Sequence, residues 1–398
     1  MFHQALLCRL PVFSSAIISI MKTLTDIIYL EGVKVLTRVD FNVPIQNGVV
    51  VDDFRIKAAL PTIEFLTRKG AKVILIAHLE SSDGSNNSLK PVADTLNRLG
   101  QTVTFVENIR NAQAAIEKQV NGTCVLLNNL RLSEGEKNND REFTKALASL
   151  ADIYVNDAFS VSHREHASIV GVPQFLPSYA GIQLENEIKH LSTAFNPAHP
   201  FLFILGGAKF ETKLPLLQKF LNIADTVFVG GALANDFFKA KGYEIGVSLI
   251  SKGNIDFTSF LANTKLMIPV DVVDQNHINK KADTVLKTDK IMDSGSATVK
   301  ELKDVISQAK CILWNGPLGL YEDGYQGATL ELATLISEAT KRGATTIIGG
   351  GDTLAAVAAQ GVQDHFTFIS TGGGAMLDFL ANGTLPGVEA LEISAKQD

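Results

Sequence analysis

The chain has 398 residues, more than one compact core usually holds, so two domains of ordinary size are expected. Hydrophobic residues at 46% with charged residues at 20% describe a globular protein able to build sizeable cores, and a net charge of −6 gives no general attraction to nucleic acid or an anionic membrane. The three cysteines, Cys8, Cys124 and Cys311, lie far apart without CxxC or Cys/His spacing, which argues against zinc and a disulfide framework and suits a reducing cytosol.

Residues 1–21 carry one arginine, no acid and the apolar run PVFSSAIISI. That run is too short to span a bilayer and lacks both a basic start and a small-x-small cleavage site. The expectation is that Met21 is the true start, and that residues 1–20 are an extension from an upstream start assignment.

From Lys34 onward strand and helix patterns alternate, which predicts an α/β protein with mainly parallel sheets covered on both faces. KVLTRVDF (34–41) reads as a strand stopped by Asn42-Val43-Pro44, and RIKAALPTIEFLTRKG as a helix with Ile56, Leu60, Ile63 and Leu66 on one face. KVILIAHL is the next strand, and SLKPVADTLNRLG a helix with Pro91 in its first turn. Strands TVTFV and CVLLN, the helix NDREFTKALASL and the strand DIYVNDA complete the first half. The long amphipathic segment YAGIQLENEIKHLSTAF then reads as a connecting helix. The second half resumes with FLFILGGAK, TKLPLLQKFL, TVFVGG, ALANDFFKAKG, KLMIPVDVVD, a polar stretch to about Lys300, KCILWNG and a helix to Arg342.

The chain closes its second half with TTIIGGGDTLAAVAAQ and FTFISTGGGAMLDFLAN. Each is an apolar run, a triple-glycine turn and a helix-forming segment. Such turns either satisfy a tight βα connection needing positive φ, or let a phosphate reach backbone N–H groups at a helix end. Two of them in one short stretch favour the phosphate reading, although neither matches GxxxxGK[ST] or GxGxxG.

Ligands of parallel sheets bind beyond the carboxyl ends of the strands. In the first half those positions hold Asp40, Asn42, Arg55, His78, Arg131, His163, Arg164 and His166; in the second, Lys209, Lys213, Asn315, Glu322 and Asp352. Arginines around histidines suit a small, highly charged anion. Two lysines, backbone anion sites and a carboxylate suit a Mg-nucleotide. Together they suggest phosphoryl transfer across a cleft that closes to exclude water. No HRD-like loop supplies a base, as befits an acceptor oxygen that is already an anion.

At this point the chain resembles one family, phosphoglycerate kinase, from about Lys34 to its end. The motifs are RVDFNVP (38–44), DDFRIKAALPTI (52–63), NNLRLSEGE (128–136), YVNDAFSVSHREHAS (154–168), ILGGAKFETK (204–213), WNGPLGLYE (314–322), GGGDT (349–353) and STGGGAMLDFLANGTLPGVEAL (370–391). The resemblance implies ATP formation from 1,3-bisphosphoglycerate and ADP, with Mg²⁺ on the nucleotide, in a cytoplasmic monomer. It implies two Rossmann-like αβα domains: a phosphoglycerate domain at 21–180, a connecting helix at 181–198, a nucleotide domain at 199–380, and a C-terminal segment at 381–398 returning to the first. Asp40, Phe41, Asn42, Arg55, His78, Arg131 and Arg164 would contact phosphoglycerate, and Arg55 would also steady the acyl phosphate. Lys209, Asn315, Glu322, Gly350, Gly351, Asp352 and Thr353 would hold the nucleotide, with Asp352 toward the metal. Lys213, Gly372 and Gly373 would stabilise the phosphoryl group in transfer.

One departure falls in the substrate pocket. Where the family usually reads His-Leu-Gly-Arg-Pro, this chain has His78-Leu79-Glu80-Ser81-Ser82. A charge-assisted hydrogen bond of about 1.5–3 kcal/mol is lost there, enough to weaken binding by roughly one to two powers of ten. Ser81→Arg is therefore expected to lower the KM for 3-phosphoglycerate, and an unchanged constant would show that other cations compensate. Smaller departures are Ser160, Ser162 and Ala232. Two other functions stay open on sequence grounds: a nucleotide-binding protein that lost turnover, which would bind Mg-ADP but not 3-phosphoglycerate, and a kinase for a different acid.

Overall fold

The computed structural model describes residues 21–80, 88–208, 210–252 and 255–395. The first sheet holds β1 (Lys34–Arg38), β2 (Lys72–Ile76), β3 (Val103–Val106), β4 (Cys124–Leu127), β5 (Ile153–Asn156) and β6 (Ser178–Ala180), its inner strands built from apolar runs such as Val73-Ile74-Leu75-Ile76 and Val125-Leu126-Leu127. They pair in parallel in the order β3-β4-β2-β1-β5-β6. Successive residues of β2 (Val73, Ile74, Leu75 and Ile76) are all fully buried. Alternate side chains point to opposite faces, so both faces of this sheet are covered. Helix α1 (Phe54–Arg68) follows β1 and buries Ile56, Ala59, Ile63 and Leu66 in the core shared with Val35, Val73, Leu75 and Leu126. It keeps Pro61 in its interior at the cost of one backbone hydrogen bond.

The second sheet holds β7 (Phe201–Leu205), β8 (Thr226–Val229), β9 (Leu266–Met267), β10 (Cys311–Asn315), β11 (Thr345–Gly349) and β12 (Phe368–Ile369). Its parallel order, β9-β8-β7-β10-β11-β12, is that of a doubly wound nucleotide-binding sheet. Ile204, Phe228, Ile312 and Trp314 share one cluster with Leu302, Leu332, Ile336 and Val357.

The chain divides into two compact units: one runs to Phe195 and takes in the chain from Gly383 onward, the other is Asn196–Asn382. Helix α2 (Ile182–Ser192) belongs to the first, and α3 (Phe210–Ile223), which follows β7, to the second. In the first unit Gly387 N donates to Ser162 O at 2.8 Å, and Leu385, Val388 and Leu391 are buried.

Four local outcomes differ from the sequence expectations. KLMIPVDVVD is not one strand: Pro269 interrupts it, leaving β9 in the parallel sheet and Asp271–Asp274 in a separate antiparallel sheet. This antiparallel sheet recruits Asn279–Lys281 and Ile291–Ser294 from the stretch expected to be merely polar. Tyr179 and Ala180, expected at the head of the connecting segment, belong to the edge strand β6. Ile45–Gln46 and Val49–Val50 form a hairpin whose turn residues Asn47 and Gly48 both have positive φ, the geometry an Asn-Gly pair supports.

Candidate functional site

In the first sheet the direction of winding reverses between β1 and β5, and the polar residues collect beyond that point. Asp40 follows β1; its Oδ1 accepts from Asn42 N at 3.0 Å, and its Oδ2 accepts from Arg55 Nη1 at 2.7 Å and from Ser160 Oγ at 2.6 Å. Arg55 is the second residue of α1, so the helix packed on the sheet fixes where its guanidinium starts. Asn42 Oδ1 accepts from Glu80 N at 2.8 Å, and the Glu80 carboxylate pairs with Arg131 Nη1. Arg131 Nε has no hydrogen-bond partner among the described residues, an open buried donor of the kind an anion satisfies.

Beneath this layer lies a charge the sequence reading did not single out. Arg38, the last residue of β1, is fully buried and donates from Nε to Ser168 Oγ (2.9 Å) and from Nη1 to Val39 O (2.6 Å). Its Nη2 lies 3.2 Å from His78 Nδ1. A guanidinium only donates, so Nδ1 of His78 accepts and its proton sits on Nε2, ready to be given to an anion. Burial, then Arg38, Arg131 and Arg55, hold His78 well below the usual imidazole range. Burial, followed by Arg131, Arg38 and Arg164, brings His166 down to about 4. Both histidines are neutral at pH 7, and the positive charge of the cluster comes from its arginines. Arg164 is exposed at its rim. Phe41 is placed differently: its side chain is fully buried in the core, which leaves only its backbone for a ligand.

The second sheet reverses between β7 and β10, and there three glycine segments cross at close range. Gly206 N donates to Asn315 O and Gly207 N to Pro317 O, both at 2.8 Å, and Gly316 N to Thr353 Oγ1 at 2.9 Å. A Cβ on Gly206 would stand inside the contact distance of the Gly316 and Pro317 carbonyl oxygens. Gly206→Ala is expected to destabilise this unit by about 3 kcal/mol and to weaken ADP binding, read by thermal unfolding and calorimetry. An unshifted melt would show that the crossing loops can part.

Lys213, on the first turn of α3, is buried and donates its Nζ to Gly206 O. Burial pulls its amine down to about 8 against the opposing charge of Asp352. Asp352 is exposed on the first turn of α4 (Gly351–Ala359), whose N-cap Gly350 has φ 104°. Gly207, Gly231, Leu249, Pro317, Leu318, Glu322 and Asp352 line a cavity of about 430 Å³, sized for a nucleotide. The buried Asn315 packs its amide 3.8 Å from Met376 Sδ. At the last glycine turn, before α5 (Gly374–Asn382), Gly372 N donates to Ser370 Oγ at 3.1 Å and Gly373 has φ 54°. Lys209, Ser81 and Ser82 lie outside the described residues.

Comparison with known proteins bears on this pair of sites. A model of the phosphoglycerate kinase family matches residues 24–383. The chain belongs to the phosphoglycerate kinase family. A phosphoglycerate kinase of a Wolbachia from Drosophila simulans is 43% identical over 384 residues, covering 91% of this chain and 96% of that protein. One from Clostridioides difficile is 42% identical over 395 residues, covering 93% and 98%. The solved structure of phosphoglycerate kinase from Coxiella burnetii superposes with a TM-score of 0.81 at 33% identity, over 94% of this chain and 100% of that one. The structure from Pyrococcus horikoshii gives 0.82 at 32% identity, over 95% and 100%. The reaction of phosphoglycerate kinases, reversible phosphoryl transfer from 1,3-bisphosphoglycerate to ADP giving 3-phosphoglycerate and ATP in glycolysis, is the activity of this chain.

Besides Arg38, sequence reasoning passed over Ser160 as a partner of Asp40, Glu80 as a partner of Arg131, and Leu249 in the cavity wall. Only Arg38 had a usable signal, a cation set inside the otherwise uncharged run Val35-Leu36-Thr37-Arg38-Val39.

Proposed function

We propose that Asp40, Asn42, Arg55, His78, Arg131 and Arg164 bind phosphoglycerate on the first unit, with Phe41 contributing backbone only. Asn315, Glu322, Gly350, Gly351, Asp352 and Thr353, with Lys209, bind the nucleotide on the second. Arg55 steadies the acyl-phosphate oxygens; Lys213 and the N–H groups of Gly372 and Gly373 stabilise the phosphoryl group in transfer. Transfer requires the acyl phosphate and the nucleotide to meet, so the reading includes approach of the two units, with residues 181–198 as the connection between a phosphoglycerate domain (21–180) and a nucleotide domain (199–380). No proton donor is needed, because the attacking ADP oxygen is already an anion; positioning and positive charge carry the step.

The observation that carries this assignment is the separation of two chemistries: an arginine cluster around Asp40 at one sheet's reversal point, and Lys213 over crossing glycines at the other's. Asp352 fits a magnesium ion. It is a hard, exposed carboxylate on the cavity wall, and Mg²⁺ favours one or two carboxylates completed by phosphate oxygens. Bound there, the ion would neutralise charge on the nucleotide phosphates. Among the described residues no three His, Cys, Asp or Glu side chains gather as a metal cage, so the ion would arrive with the nucleotide. No described helix is long and apolar enough to cross a membrane; a cytoplasmic monomer acting on small molecules, with no nucleic-acid partner, completes the reading.

The test is ATP formation from ADP and 1,3-bisphosphoglycerate by the purified protein, with and without EDTA. Turnover that EDTA abolishes is expected. Turnover insensitive to EDTA removes the magnesium role, and a folded protein that binds ADP without turnover removes the assigned catalytic roles.

A further inference from the structure

We propose that Glu80 is an internal competitor for the substrate's anionic group at Arg131. The inference rests on the phosphoglycerate reading of the arginine cluster and adds to it a residue that holds affinity down. Arg131 has a side chain only 11% exposed, has no hydrogen-bond partner for Nε among the described residues, and receives the Glu80 carboxylate on Nη1. Burial and the nearby guanidinium of Arg38 act against its charge, so an anion here is welcome whatever its source. Glu80 supplies one when no ligand does.

Its two ends behave differently. The backbone N–H of Glu80 is held by Asn42 Oδ1 at 2.8 Å, and Asn42 N is held in turn by Asp40 Oδ1 at 3.0 Å, so the residue is anchored at the pocket floor. The side chain is 61% exposed and can move to water without being left buried and unpaired. A carboxylate tethered beside a guanidinium acts at high effective concentration, yet a ligand anion of greater charge can displace it. The substrate then binds only the fraction of molecules in which Glu80 has let go. If the pair is made in about 80–90% of molecules, apparent affinity falls roughly five- to tenfold.

A structural role for Glu80 predicts loss of stability and weaker binding on its removal; competition predicts the opposite sign for the ligand. The experiment titrates 3-phosphoglycerate, and separately ADP, into wild-type and Glu80→Gln protein by calorimetry at low and high salt, with thermal melts as a check on folding. Glu80→Gln should bind 3-phosphoglycerate about fivefold tighter at low salt, with the same gain in KM and a kcat within twofold. Screening of the pair should shrink the difference at high salt, and ADP affinity should not change. Equal or weaker 3-phosphoglycerate binding by a folded Glu80→Gln overturns the inference. Tighter binding without turnover in the wild type leaves the competitor role standing and removes the proposed function. No binding of 3-phosphoglycerate by either protein removes both.

Discussion

Lys213→Met should lower kcat about a thousandfold while changing KM for ADP far less if, as proposed, the amine acts on charge that grows during transfer. Methionine keeps the length and the apolar fit of the stem, so the variant tests the charge and not the packing. Lys213 is buried and anchored through Nζ to the carbonyl oxygen of Gly206. That bond fixes the position of the amine in the free protein. Its depressed pKa of about 8 adds two pH signatures. The free enzyme's kcat/KM should fall as pH rises through 8, where the charged amine is lost, and that limb should be missing in the variant.

Stability should move the other way. Below pH 8 the amine is charged in both states and its burial is a cost. Between about 8 and the ordinary lysine range near 10.5, the unfolded chain holds a proton that the folded one has released, so wild-type stability rises with pH relative to the variant. A Lys213→Met enzyme within tenfold of wild type would remove the amine from the transfer step.

The strands were legible because burial on both faces demands uninterrupted apolar runs, and FLFIL or KVILI can hardly be anything else. Strand order was not legible. It decides where each sheet reverses, and therefore that the end of β1 stands beside β5 while the end of β7 stands beside β10. KLMIPVDVVD failed as a single strand for a nameable reason: without an amide hydrogen, Pro269 cannot continue the ladder, and the chain changes sheets there. In the site, residues at strand ends were readable one by one, but their pairings were not. Glu80 reads as a missing glycine in the sequence and becomes a partner of Arg131 only in three dimensions. Ser160 reads as a loop residue and proves to share Asp40 Oδ2 with Arg55.

Arg38→Ala should destabilise the first unit by about 3–5 kcal/mol, a fall in Tm of roughly 10 °C, because it strips a buried network of its cation. Arg38 reaches Glu136 through one intermediary: Nε donates to Ser168 Oγ, and Ser168 donates from Oγ (2.6 Å) and N (3.0 Å) to the two oxygens of Glu136. Arg38 and Glu136 are both fully buried. Removing the arginine leaves the carboxylate with the serine and the more distant Arg131, and leaves Val39 O and His78 Nδ1 short of a donor. Arg38→Lys keeps the charge but not three donors in fixed directions, so it should fall between wild type and alanine. If the two charges stabilise one another, Arg38→Ala and Glu136→Gln together should cost clearly less than the sum of the two single changes. Additive losses would mean that Arg38 does not act on Glu136. His78 supplies a second readout, because loss of Arg38 removes the largest charge acting on it. Burial, the larger cause, stays in place, so its pKa should rise yet remain below 6.5, and the ring should still be neutral at pH 7. An imidazolium signal from His78 at neutral pH in the variant would show that Arg38, and not burial, keeps this ring a neutral donor.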